Sequence, residues 1–360
     1  MMSTASPGMN RNPANTIRVM ISRVGTIRSN RRKMYACMRS LLTGPVAPVN
    51  VARPAGARLV RYTPTTMKLW DPHFHIWDVS AGVDDAGYSL TSYERDVASD
   101  GFELIGGTFL EVMSAQHPGV EGEAFADACS AEAEWVSQQL GAGRLPYVMV
   151  PSAPLEHEGV PALLQRLAGD ERVRGIRQIL NYEPSWPRNG HLGNLLERAA
   201  WRRGFGLLAE YGLRFDLQLN PHQFAVAARL VAAHPRIPVV INHLGTPTLA
   251  DLRGESYWDG MRAFADCAHT SIKLSMLPYV DGEWDTNPLV TESVLRVIDL
   301  FGVERCFFAS NFPVDLKSGW PAARLFGAFA RLVGAMPEAD RQRLFANNAK
   351  RAYGVADREE

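Results

Sequence analysis

Residues 68–77 read Lys-Leu-Trp-Asp-Pro-His-Phe-His-Ile-Trp, and the reading of this stretch decides the fold. It is an apolar, aromatic run of strand length interrupted by Asp71, His73 and His75, which period-two alternation places on one strand face. Three such groups are costly to bury together without a purpose. Two imidazoles two residues apart can converge on one metal ion or one substrate oxygen, so the run reads as a strand whose carboxyl end carries chemistry.

Seven further runs of similar character follow, at residues 104–112, 145–150, 173–180, 214–219, 238–243, 271–275 and 306–311. Helix-like segments lie between most of them, at 122–140, 161–168, 192–211, 221–233, 257–268 and 291–301, with another after the last at 322–335. Strand and helix in alternation imply parallel pairing, because each crossover returns to the same edge. Eight repeats fit a closed (β/α)8 TIM barrel of the α/β class better than an open doubly wound sheet. No G-x-G-x-x-G follows a strand and no P-loop is present, which removes the main support for dinucleotide or nucleotide binding. Gly106 and Gly107 sit inside a strand-like run, where close packing is expected rather than a phosphate cradle.

The 360 residues are 46% apolar and 21% charged, enough for one large core, which excludes a disordered or fibrous protein. The 38 basic and 38 acidic residues balance only on average. Residues 1–66 hold eleven basic residues and no Asp or Glu, whereas residues 67–360 hold 27 basic against 38 acidic, a net −11. Residues 67–360 are therefore the expected barrel domain, preceded by a basic leader. The leader has the composition of a transit peptide, and it also fits a start assigned upstream of Met67. The corresponding locations are mitochondrial and cytoplasmic, the second being preferred. No apolar run approaches the ~18 residues of a membrane span. Cys37, Cys129, Cys267 and Cys306 are far apart and are expected as free thiols.

Polar residues at the strand ends mark the mouth of such a barrel. Glu111 closes the second run. Arg177 lies inside the fourth and needs an anionic partner, either a substrate carboxylate or an internal Glu111 or Asp216. Asp216 and Gln218 share a face of the fifth run, and Lys273 and Ser275 share one of the seventh. In the sixth, His243 is read on the same face as Val239 and Ile241, as the polar end of a core-facing row. The eighth ends in Ser310 and Asn311 before Pro313, with Asp315 able to join if the following loop folds back. His117, His157, His191, His234 and His269 are expected at the surface.

The D-x-H-x-H of Asp71 to His75, the G-I-R ending at Arg177, F-D-L-Q at 215–218, N-H-L-G at 242–245, K-L-S at 273–275 and S-N-F-P-V at 310–314 occur in that order. Together they resemble the amidohydrolase-related branch of the amidohydrolase superfamily, over about residues 68–355. The 348–353 segment looks like that branch's closing helix. The pattern is nearest to the lactonases of pyrone dicarboxylates and sugar lactones, with metal-dependent decarboxylases of aromatic acids more distant. The resemblance implies histidines that polarise a carbonyl and a strand-eight Asp that activates water. Two positions depart from it. Where metal-dependent members carry a strand-five His, this chain has Gln218, with His222 four residues later. Where they carry a strand-eight Asp, it has Asn311.

The expected activity is therefore opening of a lactone or similar cyclic ester of a small carboxylated or hydroxylated compound. His73, His75 and His243 polarise the carbonyl, Asn311 positions water, and Asp315 or Glu111 serves as base. Arg177, Gln218, Asp216 and Lys273 bind substrate. No cofactor is required, or one divalent metal such as zinc sits on His73, His75 and His243. The alternatives are a metal-dependent decarboxylase of an aromatic or enol acid and a catalytically impaired binding barrel. The expected partner is a small molecule, with neither nucleic acid nor membrane, and homo-oligomerisation is compatible with the sequence.

Overall fold

The computed structural model describes residues 66–78, 86–112, 122–183 and 193–356. The leader, apart from Thr66, lies outside the described residues, as do Cys37, His117 and His191. Eight strands, β1 (Met67–Phe74), β2 (Phe102–Leu110), β3 (Tyr147–Val150), β4 (Gly175–Arg177), β5 (Arg214–Leu217), β6 (Val239–Ile241), β7 (Thr270–Leu274) and β8 (Cys306–Phe308), pair in parallel in chain order as β1 to β3 and β4 to β8. Parallel bridges Met149–Val173 and Ser152–Arg177 join β3 to β4, and Phe74–Phe312 joins β1 to the segment after β8, so the sheet ends meet around a (β/α)8 barrel. A helix follows every strand: α1 (Leu90–Val97), α2 (Gly122–Ala142), α3 (Val160–Ala168), α4 (Ala199–Leu207), α5 (Phe224–Ala233), α6 (Glu255–Ala265), α7 (Pro288–Phe301) and α8 (Ala322–Leu332). Among them α1 is not among the helices expected from sequence. It is short and polar, anchored by buried Leu90, Tyr93 and Val97 and capped by Ser89.

Apolar side chains divide into two layers. Leu69, Ile176, Phe215, Val239, Ile241, Ile272 and Phe308 pack outward with the helices. Trp70, Leu110, Val148, Val150, Val240 and Phe307 fill the barrel interior. Ala346 and Ala349, from the helical segments Arg343–Asn347 and Asn348–Ala352, and Tyr353, which caps the second, join this inner layer and plug its floor.

The barrel admits Trp70 because β2 offers no side chain opposite it. Gly106 has φ +149°, and a Cβ there would lie 2.3 Å from Pro146 O and 2.4 Å from the Trp70 ring. The paired glycines are thus packing positions, as expected. Gly106→Ala should destabilise the fold by at least ~2 kcal/mol, since strain and overpacking act together. A urea denaturation series measures this, and an unchanged midpoint would contradict it.

Two expected strand faces are corrected. Asp71 pairs with Gly107 but Phe74 pairs with Phe109, so β1 carries one extra residue around Pro72, which has no N–H to give to the ladder. The alternation is reset there, and Asp71 does not share the face of His73 and His75. It accepts hydrogen bonds from the Tyr93 hydroxyl (2.9 Å) and the Ser310 backbone (2.9 Å) and side chain, clasping β1 to the end of β8. His243 likewise does not continue the row of Val239 and Ile241, which face the helices. A left-handed backbone at His243 (φ 57°) and Leu244 (φ 54°) redirects the chain beyond β6.

Candidate active site

The strand ends bring His73, His75 and His243 together. The His73 ring centroid lies 4.9 Å from His75 and 4.3 Å from His243. All three are buried, and burial is the main force that keeps them neutral. It holds His73 and His243 well below the ordinary histidine value, with the charges of Lys273 and Arg177 adding to it. His75 is pushed down to about 3 by burial and then by Arg177. The His75 Nδ1 meets Leu110 O at 2.7 Å, so it carries the proton and leaves Nε2 as an acceptor. His243 Nδ1 lies 3.0 Å from Ser275 Oγ, while its Nε2 is buried with no hydrogen-bond partner among the described residues.

Beside the histidines stand two cations, each matched to a carboxylate. Arg177 Nε donates to Glu111 Oε1 at 2.8 Å, its Nη2 to Glu111 O, and its Nη1 to Gln218 Oε1 at 3.2 Å. Of the anionic partners open to Arg177 from sequence, the structure supplies Glu111. Lys273 Nζ lies 2.6 Å from Asp216 Oδ1 with both groups fully buried. Burial lowers the Lys273 ammonium to about 8, against the opposing pull of Asp216. Asp216 also accepts from Tyr353 Oη (2.9 and 3.1 Å) and Asn242 Nδ2 (2.8 Å), so it is a saturated floor group beneath the site.

At the β1–β8 seam, Asn311 takes a left-handed conformation (φ 55°) and its Nδ2 donates to Asp315 Oδ1 at 2.8 Å. The short helix Val314–Lys317 folds Asp315 back to this position. Burial raises its carboxyl well above the ordinary value, partly offset by the Asn311 hydrogen bond, and Oδ2 has no hydrogen-bond partner among the described residues.

His222 is exposed on the 3-10 turn Pro221–Gln223. His234 and His269 bond backbone carbonyls of Leu230 and Val231, away from the site. Cys129, Cys267 and Cys306 are buried free thiols. Two contributors have no assigned role in the sequence reading: Tyr353, which enters through the floor from a segment noted there only as a closing helix, and Tyr93, which holds Asp71.

A metal does not fit this donor set. Both His73 nitrogens face cations, Nε2 lying 3.3 Å from Arg177 Nη1 and Nδ1 3.3 Å from Lys273 Nζ. Among the described residues, no three His, Cys, Asp or Glu side chains are arranged to hold an ion. Divalent metals want three or four such ligands, and their charge adds unfavourably to two neighbouring cations.

A family described as amidohydrolase matches residues 70–355. An uncharacterised protein, y4mH of Sinorhizobium fredii, is 28% identical over 296 residues, covering 79% of this chain and 98% of that protein. An L-fucono-1,5-lactonase of Burkholderia ambifaria is 26% identical over 217 residues, covering 56% of this chain and 68% of the lactonase. Two solved structures share the fold. One is a zinc-bound amidohydrolase of Burkholderia multivorans (TM-score 0.62, 18% identity, 80% of this chain and 99% of that one). The other is a putative 2-pyrone-4,6-dicarboxylic acid hydrolase of Pseudomonas putida (TM-score 0.63, 17% identity, 81% and 99%).

Proposed function

Because the chain belongs to the amidohydrolase family, we propose that it is a lactonase-type hydrolase that opens the cyclic ester of a small carboxylated or sugar-derived compound. The observation that carries this reading is a pair of buried polar atoms at the strand ends, His243 Nε2 and Asp315 Oδ2, that have no hydrogen-bond partner among the described residues and lie beside neutral imidazoles. Such atoms are costly to bury, and a bound substrate and water satisfy them.

In the proposed reaction, Ser275 donates to His243 Nδ1 and so places a proton on Nε2, aimed at the lactone carbonyl. Water held by Asn311 attacks the carbonyl carbon, and its proton passes to the Asp315 carboxylate. The histidine N–H groups and the Arg177 guanidinium stabilise the oxyanion. Collapse breaks the ring C–O bond, and the ring oxygen takes the proton back from Asp315 as the hydroxy acid forms. Glu111 is engaged by Arg177, which leaves Asp315 as the base of the proposed reaction. The decarboxylase alternative requires an ion on the His73 and His75 pair, where the donors do not fit one.

Purified protein assayed on panels of sugar and dicarboxylate lactones should show turnover that a chelator leaves unchanged. No turnover of any lactone, with or without chelator, would falsify the reading. Since Asp315 must be ionised to take a proton and burial raises its pKa, kcat/KM should fall as pH drops through a value above the ordinary carboxylate range. An ascending limb near pH ~4 instead would remove Asp315 as the base.

A further inference from the structure

A hydrogen-bonded column runs from the barrel floor to the site. Tyr353 Oη donates to Asp216 (2.9 Å to Oδ1), Asp216 Oδ1 holds Lys273 Nζ at 2.6 Å, and Lys273 Nζ lies 3.3 Å from His73 Nδ1. On the opposite side of the ring, His73 Nε2 faces Arg177 Nη1 at 3.3 Å. A neutral imidazole has one lone pair and one N–H, whereas an ammonium and a guanidinium only donate. His73 therefore accepts from one of its two cationic neighbours and presents an N–H to the other.

The alternatives open to each cation decide between them. Arg177 Nη1 has another acceptor, Gln218 Oε1 at 3.2 Å. Lys273 Nζ is fully buried, and its hydrogen-bond partners among the described residues are Asp216 and His73. Denying Lys273 the His73 lone pair strands a buried ammonium hydrogen, which costs more than lengthening one of several guanidinium contacts.

We propose that Tyr353, Asp216 and Lys273 form a positioning column that fixes His73 with its proton on Nε2, so that His73 Nε2–H and Arg177 Nη1–H converge on one ligand oxygen. Two donors facing each other at this spacing are unfavourable until an oxygen accepts from both, which makes the pair a preformed oxyanion site. That this oxygen is a lactone carbonyl rests on the function proposed above, while the tautomer and the column do not. Tyr353, Asp216 and Lys273 touch no substrate in this arrangement and act through His73.

Long-range proton–nitrogen spectra of the full chain labelled with nitrogen-15 histidine, at neutral pH and without ligand, read the tautomer directly. Comparison with His73→Gln identifies the His73 signals. The expected spectrum has Nδ1 unprotonated and Nε2 as N–H, with the proton moving to Nδ1 in Lys273→Met. Tyr353→Phe keeps both buried charges and should shift the tautomer population part of the way. On a lactone that the enzyme opens, it should lower kcat about threefold to tenfold with KM unchanged, the scale of one hydrogen bond. A proton on Nδ1 in the parent protein, or a Tyr353→Phe spectrum identical to the parent's, overturns the proposal. If Lys273→Met does not fold, Tyr353→Phe decides alone. Since the spectra need no substrate, a protein inactive on every lactone still tests the column.

Discussion

Asp315→Asn is expected to lower kcat by about 10²- to 10⁴-fold, the range for removal of a general base, while raising rather than lowering stability at neutral pH. Asn at this position keeps an oxygen for the Asn311 Nδ2 donor and fills the same volume, so the backbone of Val314–Lys317 has no reason to move. It cannot accept a proton from water. The stability sign follows from the raised pKa. Between the unfolded carboxyl's pKa and the higher folded one, the folded state binds more protons, so the parent loses stability as pH rises through that window. Asn carries no such penalty, and its advantage should reach its full size above the folded pKa. Steady-state kinetics with melting curves at several pH values checks both halves. A kcat within threefold of the parent would remove Asp315 from the mechanism, and a stability difference independent of pH would contradict its burial as a charged group.

The second large effect concerns Arg177. Arg177→Met should destabilise the fold by about 3–5 kcal/mol, because it leaves Glu111 buried without its ion-pair partner. The side chains of Arg177 and Glu111 are 4% and 0% exposed, so water does not replace the guanidinium. Adding Glu111→Leu should recover most of the loss, since an apolar pair of similar volume carries no desolvation cost. Chemical denaturation of the two single variants and the double variant forms the required cycle. Equal and additive losses would mean that the pair is not coupled. Activity should be lost in both variants that lack Arg177, because the cationic side of the proposed oxyanion site is gone.

The barrel was legible in the sequence because it is encoded redundantly. Most strands are short apolar runs flanked by a helical period, and an error of up to three residues at the ends of β4 and β8 does not alter the count. The clustering of His73, His75, His243, Arg177 and Lys273 was legible for a related reason, since buried polar groups at strand ends have few other destinations. Face assignments failed where the backbone leaves regular geometry. The bulge at Pro72 moves Asp71 to the seam, and the left-handed residues at His243 and Leu244 take that histidine off the row of Val239 and Ile241. Period-two reasoning assumes an unbroken pleat and cannot see either event. Pairings between distant residues were undetermined for another reason. Arg177 had two acidic candidates, and nothing local favours Glu111 over Asp216. Tyr353 was invisible as a site contributor because its partner Asp216 lies 137 positions earlier, across the floor.

The clasp of Asp71 on Ser310 joins residues 239 positions apart. During synthesis, β1 emerges first and has its β2 neighbour early, yet its other edge has no partner until the last strand leaves the ribosome. The closing contacts therefore have very large sequence separation, and the loop-closure entropy they must overcome makes barrel closure a late event. Until then an open parallel sheet exposes two hydrogen-bonding edges to other nascent chains. Nascent or truncated chains ending before Ser310 should accordingly be the aggregation-prone species, so that the yield of soluble protein depends on how quickly translation reaches the final strand.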